Sequence, residues 1–107
     1  MIIGFIAEND EFETRSMLLP EHVSLLVKLG FKVLISSDYA KTLNLKDDLF
    51  INNSAEAKSI NEVTKDSDVV IKISGKDLEK FDFKEGSIII TAFFDKNNNE
   101  YLKIKKK

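Results

Sequence analysis

The stretch Ile2-Ile3-Gly4-Phe5-Ile6-Ala7 decides how the rest of the chain is read. It is short, apolar and without alternation, as a strand is when a parallel sheet buries it on both faces. An acidic polar loop follows over residues 8–13. Pro20 suits the first position of a helix, and Glu21 is well placed against the positive helix end. Leu19, Val23, Leu26 and Val27 fall on one helix face, with Ser24 and Lys28 opposite. Gly30 is the expected terminator, free to turn left-handed, and residues 31–35 form the next strand.

Further along the signals alternate. A short helix is expected around residues 46–52 and a weak third strand near 56–59. Another short helix covers 61–65. Residues 69–73 read as a strand that ends at Ser74-Gly75. Residues 87–92 read as another, opened by a turn at Glu85-Gly86. Residues 95–100 are loop-like, and 101–107 read as a frayed end. Strands alternating with helices predict an α/β fold: one small Rossmann-like or flavodoxin-like layered domain over 1–107, with a mostly parallel sheet.

Composition narrows the functional classes. The chain has 107 residues, 43% hydrophobic and 32% charged, with no Cys. That excludes a disulfide scaffold, a Cys-ligated zinc site and thiol catalysis. No apolar run reaches the ~20 residues of a membrane span, and the first residues lack a basic leader, so a cytoplasmic domain is expected. The net charge of −2 gives no general attraction to nucleic acid. The basic end Lys103-Ile104-Lys105-Lys106-Lys107 reads as a short solvated terminus, with an anionic lipid or partner contact as the alternative.

The loop after the first strand has no glycine and four carboxylates, Glu8, Asp10, Glu11 and Glu13. A dinucleotide-binding turn needs G-x-G-x-x-G there, and these acids would repel a diphosphate. Arg15 is the one arginine in a chain with fifteen lysines. Its planar fork suits a carboxylate or phosphate, although an internal pair with Glu13 would occupy it. Lys72 falls near the carboxyl end of a buried strand, where open α/β sheets hold their ligands. The plainer reading is an edge lysine whose stem snorkels. Arg15 and Lys72 are therefore the candidate anion-binding residues. His22, the only histidine, has no partner suggested by spacing and reads as surface decoration. No carboxylate spacing suggests a metal.

Glu13-Thr14-Arg15, Leu19-Pro20 and Val27-Lys28-Leu29-Gly30-Phe31-Lys32-Val33-Leu34 together resemble the N-terminal segment shared by alanine dehydrogenases and the alpha subunit of proton-translocating NAD(P) transhydrogenase. There an E-x-R-V-A-x-T-P segment leads into a helix that ends in K-x-G-F/H-x-V. Asp68-Val69-Val70-Ile71-Lys72-Ile73 resembles the family's later D-x-x-L-K-V strand, and Glu85-Gly86-Ser87-Ile88-Ile89-Ile90-Thr91 the strand after it. The Glu-Thr-Arg and Lys-Leu-Gly-Phe wording is closer to the transhydrogenase branch.

The resemblance implies an oxidoreductase domain that packs against a true Rossmann domain, with NAD(H) in the cleft. It places Arg15 on the arginine that grips the substrate carboxylate in alanine dehydrogenases. It also implies departures: the dehydrogenase catalytic lysine falls at Ser74, the catalytic histidine at Phe94, and Leu19 replaces a capping Thr. Alanine dehydrogenase activity is therefore not expected. The expected role is a wall of the NAD(H) cleft, inactive and without cofactor when alone. Expected partners are the rest of the alpha subunit, the beta subunit, further copies of the chain and, through the complex, a membrane. A stand-alone small-anion-binding module, or a non-functional remnant of a split gene, are the alternatives.

Overall fold

The computed structural model describes residues 1–7, 18–41, 44–72, 80–94 and 100–106. Strand β1 (Ile2–Phe5) sends alternate side chains into two cores, which is why its sequence shows no polar face. Ile3 and Phe5 join a cluster with Val23, Val33, Ile35, Tyr39 and Phe50. Ile6 joins Leu34, Val63 and Val70, with Ile2 packed against that group. Helices α1 (Pro20–Lys28) and α2 (Asp47–Ile51) supply the first core, and α3 (Ile60–Asp66) the second. The result is three layers around one sheet.

The other strands are β2 (Lys32–Ser36), β3 (Glu56–Lys58), β4 (Val69–Lys72), β5 (Ile88–Phe94) and β6 (Glu100–Lys106). Their order is β3-β2-β1-β4-β5-β6, with the first five parallel. Of the two layered topologies expected, this is the Rossmann-like order and not the flavodoxin-like one.

Two expectations need correction. In place of a frayed, solvated end over 101–107, Glu100–Lys106 forms an antiparallel strand on β5, in register from Ile88↔Lys106 to Phe94↔Glu100. Leu102 and Ile104 alternate with Lys103 and Lys105, a period-2 pattern that the charge of the segment hides. Lysines are also what an edge strand carries to discourage pairing with other chains. Ser24, expected to face solvent, is half-buried, and its Oγ donates to Asn53 Oδ1 at 2.7 Å, tying α1 to the end of α2.

Two glycines are set by local geometry. Gly30 ends α1 at φ 96°, as its sequence position predicts. Gly4 has a different reason: a Cβ there would sit 2.2 Å from Ser67 Oγ and 2.6 Å from Val63 Cγ1. Only a missing side chain lets α3 lie this close to β1.

Candidate functional site

The two ends of the parallel sheet differ in chemistry. At the amino end, Asp68 stitches three strands. Its backbone N–H donates to Ile2 O at 2.8 Å, its carbonyl accepts from Ile88 N at 2.9 Å, and its Oδ2 accepts from Ile2 N at 2.8 Å. Lys84 Nζ donates to the other carboxylate oxygen. The Lys84 hydrogen bond, then that from Ile2, hold the Asp68 carboxyl below its ordinary range. A groove of about 300 Å³ beside this end includes Lys32, Lys58, Lys65 and Lys84 in its lining. Two of the four are already engaged, Lys32 with Glu56 at 3.2 Å and Lys84 with Asp68.

At the carboxyl end the polar groups are buried. Lys72 is the last residue of β4 and 2% exposed; its register partner Thr91 on β5 is 4% exposed. Ser36, the last residue of β2, is fully buried, and its Oγ accepts from Ala7 N at 2.7 Å. Each stands two residues beyond a neighbour on the α3 side, Leu34, Val70 and Ile89, so all three share that face, Lys72 and Thr91 on adjacent strands and Ser36 across β1 from them. β4 lies between β1 and β5, so the reading of Lys72 as a snorkelling edge lysine is corrected. A buried ammonium is costly unless another group compensates it, and Lys72 is not without a partner. A cation and a hydroxyl on adjacent strands at this edge suit the orientation of a small anion. Neither is a nucleophile with an adjacent base.

Arg15, Ser74, Gly75 and the acidic residues 8–13 lie outside the described residues. The structure brings Lys72 beside Thr91 on β5, which the sequence does not single out. Isolated hydroxyl residues at strand ends carry no local signal until the register aligns them. His22 is more than decoration. Leu19 offers no side-chain cap to α1, and the His22 imidazole replaces half of that function: Nδ1 accepts from Leu19 N at 3.1 Å. Nearby, Asp47 holds the turn after β2, accepting from Asp38 N at 2.9 Å and Tyr39 N at 3.3 Å. A surface groove of about 420 Å³ there is lined by Asp38, Asp47 and Asp48 with Lys41 and Lys46. Among the described residues no group of His, Cys, Asp or Glu is placed to hold a metal ion. No helix among them is long and apolar enough to cross a membrane.

A three-layer domain with this strand order is a doubly wound α/β fold. A transhydrogenase from Sinorhizobium meliloti superposes with a TM-score of 0.76 at 22% identity, over 92% of this chain and 30% of the other. An L-alanine dehydrogenase superposes at 0.71 and 16% identity, over 92% of this chain and 35% of that one. The chain belongs to the family of the alanine dehydrogenase/PNT N-terminal domain, whose model matches residues 4–106. The alpha subunit of NAD(P) transhydrogenase from Haemophilus influenzae is 29% identical over 104 residues. The first part of the NAD(P) transhydrogenase alpha subunit from Rickettsia prowazekii is 26% identical over 109. Each alignment takes in 96% of this chain but only 20% and 28% of those proteins, so the chain spans less than a third of either relative's length.

Proposed function

We propose that this chain acts as the N-terminal lobe of an NAD(P) transhydrogenase alpha subunit. It lines the cleft in which other polypeptide holds NAD(H), and it carries no chemistry of its own. The observation that carries this reading is the family match over 4–106 together with two curated relatives that are both transhydrogenase alpha subunits. Ser74 and Phe94 stand where the alanine dehydrogenase resemblance calls for lysine and histidine, which favours the transhydrogenase branch. The glycine-free acidic segment 8–13 favours a chain that leaves the pyrophosphate to another domain.

Arg15 and Lys72 are the proposed anion-facing residues, Arg15 by resemblance and Lys72 by its burial at the carboxyl edge. The test has two arms. NADH fluorescence should be unchanged by the chain alone, and hydride exchange between NADH and an NADP analogue should need the chain together with the NAD-binding polypeptide and the beta subunit. Saturable NADH binding at micromolar concentration by the chain alone overturns the reading. In the second arm, sulfate or pyruvate should shift backbone amides at the carboxyl edge, and Arg15→Lys should weaken that response because lysine keeps the charge but loses the fork.

A further inference from the structure

The hydroxyl of Ser36 stands in for a backbone acceptor at the point where β1 leaves the sheet. Even residues of β1 direct their backbone groups at β4, as Ile6 N does in bonding to Ile71 O at 3.1 Å. Odd residues face β2: Met1 O accepts from Lys32 N at 3.0 Å. Ala7 N–H comes next in that odd row, and by the spacing of a parallel ladder its acceptor would be the Ser36 carbonyl. It donates instead to Ser36 Oγ, at 2.7 Å. Ser36 is fully buried, so water does not compete for this bond. Counting two residues on from Gly4, Leu34 and Val70 sets Ser36 and Lys72 on either side of Ile6, all on the α3 face.

We propose that Ser36 is a positioning residue of the carboxyl edge: its hydroxyl fixes the direction in which the chain leaves β1, and with it the anion response of that edge. The inference rests on the reading of Arg15 and Lys72 as anion-facing, and Arg15 belongs to the segment that follows Ala7. A bond to the Ser36 carbonyl would prolong β1 in the plane of the sheet. A bond to a hydroxyl that stands on the α3 face ends the ladder and turns the Ala7 N–H toward that face, which is also the face of Lys72. Packing gives no reason for a serine here, since the three residues before it, Val33, Leu34 and Ile35, are apolar and buried. The hydrogen bond does: an alanine or valine would leave the half-buried Ala7 N–H without this acceptor. Ser36 therefore acts through Ala7 and not on the anion itself.

Backbone amide shifts in a sulfate titration of the 107-residue chain test it, with sodium chloride at matched ionic strength as the blank. The wild type should saturate, and Ser36→Ala should raise the apparent dissociation constant about fivefold, the worth of one buried hydrogen bond. Ser36→Thr keeps the hydroxyl and should stay within about twofold of the wild type. Ser24→Ala removes a bond of the same 2.7 Å length between α1 and α2 and should leave the response unchanged. A wild type without a saturable response overturns the anion reading and this inference with it. A wild type that responds, with Ser36→Ala responding equally, overturns this inference alone. So does an equal loss in Ser24→Ala, which would make the effect one of general stability. If Ser36→Ala loses the native far-UV spectrum, hydrogen exchange in the wild type decides. Linkage then requires sulfate to slow exchange at Ala7 more than at Lys32, at the opposite end of the same ladder. Equal slowing at the two amides overturns the proposal.

Discussion

The amino and carboxyl ends of the parallel sheet are built from the same strands and spend their polar groups differently. At the amino end, Asp68 satisfies Ile2, Ile88 and Lys84 within the chain. At the carboxyl end, Ser36 closes on Ala7, but Lys72 and Thr91 stand buried side by side on adjacent strands. A pairing network that closes on itself is a stability device. A lysine buried at the edge where α/β sheets place ligands, and itself not without a partner, is the costlier arrangement. Substitutions near the amino end should therefore move stability, and those at Lys72 should move ligand response.

The largest expected effect is at Gly4, where α3 meets β1 near the amino end. Gly4→Ala puts a methyl within 2.6 Å of Val63 Cγ1 and closer still to Ser67 Oγ. Overpacking of this kind should cost about 2–3 kcal/mol in urea unfolding. Ser67→Ala should relieve part of that loss. The Ser67 hydroxyl is itself fully buried, without a hydrogen-bond partner among the described residues, so the single Ser67→Ala change should be neutral or stabilising. A Gly4→Ala chain as stable as the wild type would mean that α3 does not lie against β1 as described.

The next effect is one of pH. The Asp68 carboxyl has a folded pKa below its ordinary 3.8, so the folded state binds its proton less readily than the unfolded state does. Its contribution to stability is fully present above that ordinary value. It declines as pH falls below about 4 and is gone once pH has passed through the lower folded value. Asp68→Asn should remove this part of the acid slope in a urea titration series while leaving the slope at neutral pH unchanged. Equal acid slopes in the two proteins would show that the carboxylate is not the stitch between β1 and Lys84.

Much of this architecture is readable from residue order, and the exceptions are physical. β1, β4 and β5 announce themselves because burial on both faces demands unbroken apolar runs. β3 is weak in sequence because Glu56-Ala57-Lys58 lies at a sheet edge and needs only one neighbour. β6 is hidden because the lysines among its seven residues mask the alternation of Leu102 and Ile104. At the site, Lys72 is legible as a charge inside an apolar run. Thr91 is not, because a threonine in a strand is ordinary and only the β4–β5 register sets it beside Lys72. The same applies to His22: a helix-capping role becomes visible once Leu19 is seen to be the residue that needs help.

The smallest effect concerns two helices that both begin at the carboxyl end of the sheet. α3 has a full capping box: Ser59 Oγ accepts from Glu62 N at 3.2 Å, and Glu62 Oε1 accepts from Ser59 N at 3.4 Å. α1 has half of one, with the His22 imidazole reaching back to Leu19 N and nothing from Leu19 reaching forward. Leu19 already has the extended backbone a cap requires, at φ −109° and ψ 158°. Leu19→Thr should therefore complete the box and stabilise the chain by about 1 kcal/mol. His22→Ala should remove the remaining half at a cost of about 0.5 kcal/mol, since the bond is exposed and water competes for it. The two changes touch one cap and should not add: in the Leu19→Thr background the helix start is already held, so the loss from His22→Ala should shrink. Thermal unfolding of the four proteins of this cycle measures the coupling. Strict additivity would mean that the two halves of the cap act independently, each satisfying its own backbone donor at the start of α1.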